Sequence, residues 1–247
     1  MLEKVEGIVL RDRDYGDSSK IIDVLTKQYG VISIISKGCK KPKNALCNVS
    51  NKFVYGIFEI YYKKDKLSVL TSVDVINNLL EIRKDIFKIG YVSYIMELTY
   101  QVLKQVSEDN INNIYDSFIF SILKINEGYN CIVIKNILEM KYLMYLGVFP
   151  ILDKCSKCGK KQDIVTISAD SNGLLCKDCR TNEIIVKLDT IKYLRMYNYI
   201  DISKISKLSI NEDTIREIDN VINDYYDKHT GLYFATKKFL DNIEKWR

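Results

Sequence analysis

The N-terminal part of the chain carries short apolar stretches separated by turn residues. Five runs rich in Ile, Val, Leu or aromatic residues occur at 5–10, 20–26, 31–36, 53–62 and 67–72, and such runs are typical of half-buried strands. The runs predict five short strands, with one long loop between the third and the fourth. This pattern predicts a small barrel over residues 1–78. We expect an oligonucleotide-binding (OB) barrel. An SH3-like barrel fits the same pattern, and strand pattern alone does not separate the two.

From Leu79 onward, apolar positions recur every three or four residues, as in amphipathic helices. Three stripes are visible, with the members Tyr91, Tyr94, Ile95, Leu98, Val102 and Val106, then Phe118, Ile119, Ile122 and Leu123, then Ile134, Ile137, Leu138, Tyr142 and Tyr145. The third stripe is predicted to end at Gly147. Further helices are predicted over 187–199, 211–228 and 236–245, the middle one capped by Asn211. The chain is therefore predicted to be α+β, with an all-helical domain in two parts, 79–150 and 187–247.

Residues 151–186, between the two helical parts, contain four cysteines in a C-x2-C-x17-C-x2-C pattern: Cys155, Cys158, Cys176 and Cys179. Two tight turns of this kind can direct four sulfurs to one ion, which predicts a zinc site. Four protein thiolates leave no position for water, so we expect one structural zinc ion rather than a catalytic one. Alternating residues at 164–167 and a turn signal at 170–173 predict the strands of a zinc ribbon.

Two other readings of the cysteines exist. Two disulfides would require an oxidising compartment, but the cysteine total is seven and the N-terminus starts directly into strand-like sequence without a signal peptide. A redox C-x-x-C would need a thioredoxin-like βαβ pattern, which the sequence does not show. We therefore favour zinc, and we expect a cytoplasmic, nucleoid-associated protein.

The distribution of charge is more informative than its total. Apolar content of 47% and charged content of 28% are ordinary for a globular protein, and the net charge is only +5. The sequence contains no apolar run of about 18 residues, so it predicts no membrane span. Residues 37–66, however, carry eight lysines against two carboxylates, a net charge of +6. A polyanion is therefore a reasonable partner for this segment.

The sharpest basic feature is the loop at 37–44, which has four lysines around Gly38 and Pro42. Several ammonium groups in one loop can follow a line of phosphates, although a solvated loop in a lysine-rich protein is the simpler alternative. We predict a DNA-binding surface with these members: Lys37, Lys40, Lys41, Lys43, Arg11, Arg13, Lys63 and Lys64.

The sequence argues against an enzyme. His229 is the only histidine, and nothing near it indicates a catalytic triad. The chain lacks the glycine-rich phosphate-binding motifs and the H-x-E element of zinc deaminases.

Several segments together resemble the bacterial recombination mediator family RecO. They are 6–10 (EGIVL), 15–19 (YGDSS), 29–30 (YG) and 36–38 (SKG) in the barrel, 146–150 (LGVFP) leading to 155–159 (CSKCG), and 225–240 near the end. Each motif is loose, but their order and spacing cover the chain from residue 6 to about 240.

The resemblance implies an N-terminal OB-fold, a helical domain and a four-cysteine zinc element. It implies binding of single- and double-stranded DNA, annealing of complementary strands, and loading of RecA onto strands coated by single-stranded-DNA-binding protein, with RecR as partner. The 37–43 loop matches the family's basic loop, with lysine where relatives often have arginine. Family members dock the acidic tail of the single-strand binder on the helical domain, and Lys135 and Lys141 are our candidates for that contact. The alternative function is a zinc-stabilised adaptor without DNA contact.

Overall fold

Five strands in the N-terminal part close into a barrel. We describe a computed structural model, which covers residues 1–244, except the side chains of Asp241 and Glu244. The strands are β1 (Leu2–Tyr15), β2 (Ser19–Thr26), β3 (Gly30–Ser36), β4 (Tyr55–Tyr61) and β5 (Ser68–Asn77). Their order around the barrel is β1-β2-β3-β5-β4, and β4 pairs with β1. Within the barrel, β3 and β5 are parallel and the other neighbouring strands are antiparallel, and this strand order is that of an OB-fold. The OB prediction is confirmed over the SH3-like alternative.

Strand β1 is longer than the sequence predicted, and it bends. The expected end at residue 10 is wrong, because pairing with β2 continues through polar residues to Tyr15. A bulge between Val9 and Arg11 leaves Leu10 as the extra residue. A bulge changes which face the following side chains occupy. Arg11, Arg13 and Tyr15 therefore share one face of the strand beyond the bulge.

The barrel has its own apolar interior and a second apolar face outside. Phe58, Ile60 and Ile22 are fully buried inside the barrel. On the outside, Ile8 and Leu25 belong to the core of the helical body. The barrel and the helices are therefore packed together through one continuous apolar core.

Seven α-helices form most of the remaining described chain. They are α1 (Leu80–Arg83), α2 (Ile86–Leu103), α3 (Ile111–Asn126), α4 (Cys131–Tyr145), α5 (Leu188–Tyr199), α6 (Glu212–His229) and α7 (Ala235–Glu244). Short 3-10 turns occupy Glu108–Asn110 and Ile202–Lys204. The predicted helix at 236–245 corresponds to α7, and its last position, like all of 245–247, lies outside the described residues. Among residues 1–244 no helix combines the length and apolar character needed to cross a membrane.

The ends of two helices follow the sequence signals. At the end of α4, Gly147 has φ 73°, and the Val148 amide donates to the Leu143 carbonyl at 3.0 Å, which is a Schellman ending. At the start of α6, the Asn211 side chain accepts a hydrogen bond from the Asp213 amide at 2.9 Å. Both predictions are confirmed.

Helix α7 packs closely against α2. A Cβ atom on Gly90 would lie 2.3 Å from Cδ1 of Ile243, so the two helices approach where α2 has no side chain. The start of α7 is held by Glu97 of α2, which accepts from the Ala235 and Thr236 amides. The last described helix is therefore anchored to the second helix of the body.

A small three-stranded sheet separates α4 from α5. Its strands are β6 (Ile151–Cys155), β7 (Ile164–Ser168) and β8 (Gly173–Cys176), in the order β6-β8-β7. Helix α6 supports this sheet, since the Tyr225 hydroxyl donates to the Ser168 carbonyl at 3.0 Å. We call residues 151–186 the ribbon.

Candidate nucleic-acid interface and metal centre

The basic loop at 37–44, which we call the lysine loop, has a fixed backbone. Its Lys40 amide donates to the Ser18 carbonyl at 2.9 Å, which ties it to the β1–β2 turn. Within the loop, the Asn44 side chain donates to the Lys37 carbonyl at 3.2 Å. Gly38 has φ 67°, and an added Cβ would lie 3.1 Å from the Asn44 amide nitrogen. The loop therefore presents its side chains from a defined scaffold.

The segment after the lysine loop is held by a polar group that sequence reasoning missed. Lys20 donates to Asp12 at 2.8 Å and to the Asn51 side chain at 2.7 Å, and the backbone amide of Lys52 donates to Asp12 at 3.2 Å. Lys20 thus links β1, β2 and the end of the segment at 45–54. No local motif marks it, because the contact joins residues 31 positions apart.

Three of the four loop lysines are exposed and lack a carboxylate partner. Lys40 pairs with Asp14 at 2.8 Å, and this contact lowers the pKa of Asp14. Among the described residues, no ion pair involves Lys37, Lys41 or Lys43. Their charges are available to an anion in solvent.

Arg11, Arg13 and Tyr15 lie on the same face of β1, leading toward the lysine loop. Arg13 is 55% exposed and pairs with Asp23 at 2.9 Å. Tyr15 is 53% exposed and ends the strand beside the β1–β2 turn. Arg11 lies at the other end of this face, over the ring of Tyr100 in α2. The two arginines therefore form a line of cations along the second half of β1.

Lys63 and Lys64 lie elsewhere on the barrel. They are exposed in the connection between β4 and β5. This connection lies beside the first residues of β1, since the Tyr62 amide donates to the Met1 carbonyl at 2.9 Å. The lysine loop follows β3 at the end where β1 finishes. The eight predicted DNA-binding residues therefore form two separate groups, and only six of them belong to the group around the lysine loop.

The four predicted thiol ligands converge. The sulfur atoms of Cys155, Cys158, Cys176 and Cys179 all lie within 4.8 Å of one another, and none forms a disulfide. Gly159, with φ 77°, closes the first turn by donating its amide to the Cys155 carbonyl at 2.9 Å. The second turn is closed by the Cys179 amide, which donates to the Cys176 carbonyl at 3.1 Å. This donor set could hold one metal ion.

Lys135 does not lie on the surface. It is 4% exposed in α4, where its ammonium lies 3.1 Å from Glu139 and 2.7 Å from Asp219 of α6. Burial acts to lower the pKa of Lys135, but the two carboxylates outweigh it and raise that pKa. The prediction of a partner contact at Lys135 is therefore wrong, because the side chain is enclosed by the helical core.

Lys141 is half-buried in a groove between α3, α4 and the segment after α5. Burial lowers its pKa, and Asp201 opposes this effect. The groove is also lined by Asp116 and the aromatic rings of Phe120 and Tyr199. Asp116 is paired with Lys27 and Asp201 with Lys204, so the carboxylates of this groove are already balanced by lysines. The partner contact at Lys141 stays a prediction.

The closed five-stranded barrel with its exposed lysine loop places the chain among the OB-fold proteins, and comparison with known proteins identifies the family within this class. A family model described as "Recombination protein O N terminal" matches residues 1–79, and one described as "Recombination protein O C terminal" matches residues 83–238. The chain therefore belongs to the RecO family.

Relatives of known name cover the chain from end to end. The chain is 36% identical over 251 residues to the DNA repair protein RecO of Bacillus subtilis, with 100% of this chain and 97% of the relative covered. It is 33% identical over 249 residues to the DNA repair protein RecO of Halalkalibacterium halodurans, with 99% and 96% covered. The resemblance seen in the sequence is thereby confirmed.

Proposed function

We propose that this protein is a non-enzymatic DNA-binding recombination mediator that acts in DNA repair by homologous recombination. The observation that carries the proposal is the lysine loop, in which Lys37, Lys41 and Lys43 are exposed on a hydrogen-bonded scaffold and form no ion pair within the described part of the chain. The loop adjoins the β1–β2 turn, and in OB barrels that turn and the strand 2–3 face bind oligonucleotides. Relatives with the name of DNA repair proteins support the same conclusion.

The lysine loop acts through the phosphates. Lysine ammonium groups neutralise phosphates and release their counterions, and this favours binding without regard to sequence. Neutralising two strands at once also lowers their mutual repulsion, so the same surface can anneal complementary single strands and bind duplex DNA. Exposed Tyr15, beside the loop, can stack on a base.

The partners in this proposal come from family membership. We propose that the protein acts with RecR and helps RecA onto strands coated by single-stranded-DNA-binding protein. A groove beside the ribbon suits the acidic, apolar-ended tail of that binder better than Lys135 or Lys141 does. Its lining combines apolar and cationic side chains, with the members Ile164, Leu188, Ile191, Lys161, Lys192 and Arg195.

The metal in this proposal is one structural zinc ion. Tetrahedral zinc with bonds of about 2.3 Å places its sulfur ligands about 3.8 Å apart, and the Cys158 and Cys176 sulfurs lie 3.7 Å apart. Four thiols without a histidine or carboxylate are the donor set of structural zinc sites. When bound, the ion would hold the two turns of the ribbon together against α5 and α6.

The decisive experiment replaces the four loop lysines, Lys37, Lys40, Lys41 and Lys43, by glutamate. We expect a large decrease in single-strand affinity and a weaker salt dependence. The slope of log affinity against log salt should weaken by about 0.7 for each phosphate that is no longer neutralised, or by up to about 2.8 for all four. A control with the same charge change carries glutamate at four exposed lysines outside the barrel that form no ion pair with residues the structure describes: Lys154, Lys177, Lys192 and Lys207. Filter binding of a labelled oligonucleotide measures both. Equal behaviour of the two variants would remove the lysine loop from the DNA site.

The second candidate is a metal-stabilised adaptor without DNA contact. It is favoured by three exposed aliphatic side chains at the end of the ribbon and the start of α5: Ile184, Ile185 and Leu188 are 83%, 59% and 78% exposed. Apolar side chains clustered in this way are typical of protein interfaces. A native chain that fails to retard an oligonucleotide at moderate salt, yet captures RecR, would support the adaptor.

A further inference from the structure

The ring of Tyr100 in α2 lies against two cations. The guanidinium carbon of Arg11 lies 4.1 Å from the ring centroid, and the ammonium of Lys104 lies 4.3 Å from the same centroid. Both distances are within the range of cation–π contacts. One cation comes from the barrel and the other from the C-terminal end of α2, so the ring joins the two parts of the molecule at a basic point.

The surroundings leave this point positive. Among the described residues, neither Arg11 nor Lys104 forms an ion pair. Lys52 adds a third cation, and its ammonium donates to the Ser93 hydroxyl of α2 at 3.0 Å. Burial lowers the pKa of Lys52 and Arg11 lowers it further, while the carboxylates Glu97 and Asp12 raise it. Glu97 is already engaged by the start of α7. Arg11 and Lys104 contact the same ring, so these like charges repel each other, and a bound polyanion relieves that repulsion.

The position is continuous with the proposed DNA site. One face of β1 carries Arg11, Arg13 and Tyr15 at every second position. This face leads to the β1–β2 turn, which is hydrogen-bonded to Lys40 of the lysine loop. Four residues of strand span about 13 Å, so the Tyr100 ring lies within a few nucleotides of the lysine loop. A phosphodiester chain is the anion that a line of spaced cations fits.

We propose that Arg11 and Lys104, positioned by the ring of Tyr100, bind neighbouring phosphates of the same DNA strand and extend its path from the barrel onto α2. This inference rests on the proposed DNA-binding function. Lys104 is the phosphate contact on the helical body. Tyr100 is a positioning residue, which holds both cationic groups through its ring face and not through its hydroxyl.

The first test compares Lys104→Gln with Lys207→Gln, an equal charge change at an exposed lysine in the α5–α6 connection. We take the electrostatic contribution of one phosphate contact to binding as zero at about 1 M salt. Removing that contact then lowers single-strand affinity about eightfold at ~50 mM salt and about threefold at ~200 mM salt. We expect this decrease for Lys104→Gln, with a salt slope weaker by about 0.7, and native values for the control. Fluorescence anisotropy of a labelled oligothymidylate measures both quantities per folded molecule.

The second test separates positioning from charge. Tyr100→Leu keeps every cation but removes the ring, so we expect a lower affinity with a nearly unchanged salt slope. Tyr100→Phe keeps the ring face and is expected to bind like the native chain.

The inference is overturned if Lys104→Gln behaves like Lys207→Gln, or if Tyr100→Leu binds with native affinity. In either case, a weakened lysine-loop variant would leave the proposed function intact. A native chain without DNA affinity would remove both proposals together.

Discussion

Replacement of Lys135 by methionine tests the electrostatics of the helical core. Lys135→Met removes the only cation beside Glu139 and Asp219 among the described ion pairs, and it leaves their carboxylates in a site where Glu139 is fully buried. Removing one partner of a buried ion pair typically costs about 3–5 kcal/mol. For a chain of this size, 1 kcal/mol corresponds to about 2–4 °C, so we expect the melting temperature to fall by roughly 6–20 °C.

The destabilisation should depend on pH. Burial raises the pKa of Glu139 above its ordinary value, although Lys135 opposes this. A carboxyl whose pKa is higher in the folded state favours folding at low pH, where it is protonated, and this contribution is lost as the pH rises through the folded-state pKa. Without Lys135 the folded-state pKa rises further. The stability difference between Lys135→Met and the native chain should therefore be smaller at about pH 5 than at about pH 8.

Urea denaturation at several pH values measures this difference. The matched control is Lys141→Met on the same helix, which removes a half-buried lysine without an ion pair and should change stability by less than about 1 kcal/mol. A Lys135→Met variant that is destabilised no more than the control, at every pH, would refute the assignment of Lys135 as the counterion of the buried carboxylates.

Two further predictions concern packing and the metal centre. Gly90→Ala places a Cβ 2.3 Å from Cδ1 of Ile243. The overpacking cost of about 1–3 kcal/mol is partly offset by about 1 kcal/mol of helix propensity, so we expect a net loss of up to about 2 kcal/mol. The pair Gly90→Ala with Ile243→Val, which lacks that Cδ1, should be more stable than Gly90→Ala alone, and calorimetry checks the order. Cys176→Ser should lower the melting temperature far more than it lowers DNA affinity per folded molecule, as should treatment with a chelator. A Cys176→Ser protein with native melting behaviour but without DNA binding would contradict a structural role for the metal.

The features that local sequence predicts are those that local interactions determine. The two C-x-x-C turns, the Gly147 helix end and the Asn211 cap each depend on residues a few positions apart, and the structure has all three. The positions of the five barrel strands are predictable for the same reason, because their apolar runs are short and bounded by turns. The ends of two strands are not, since β1 continues to Tyr15 and β5 to Asn77, beyond the predicted ends at 10 and 72.

The remaining features depend on contacts between distant segments. The barrel is closed where β3 pairs with β5, through the residue pairs Ile34 with Ser68 and Ile35 with Val69. Neither pair has a sequence signal, so the order of strands around the barrel is not predictable from local sequence. The bulge at Leu10 turns Arg11 toward α2, and no residue type announces it. Tyr100 has the pattern of an ordinary helix residue, because its cations come from β1 and from the end of α2.

Lys135 shows a signal that could have been used. It precedes Glu139 by four positions in the segment from Ile132 to Met140, where the other residues are apolar apart from Asn136. A Lys–Glu pair at this spacing in a helix with no polar side is more consistent with an internal ion pair than with a docking surface. The prediction treated charge as a sign of exposure, which does not hold inside a helical bundle.

The shared core has a practical consequence for anyone dividing this protein into pieces. A fragment ending after β5 would expose Ile8, Leu25 and Tyr55, which the helices cover in the intact chain. Such a fragment should be prone to self-association, and its DNA affinity would be a poor guide to that of the whole molecule. Genetic dissection of this protein is therefore better done by point substitution than by truncation.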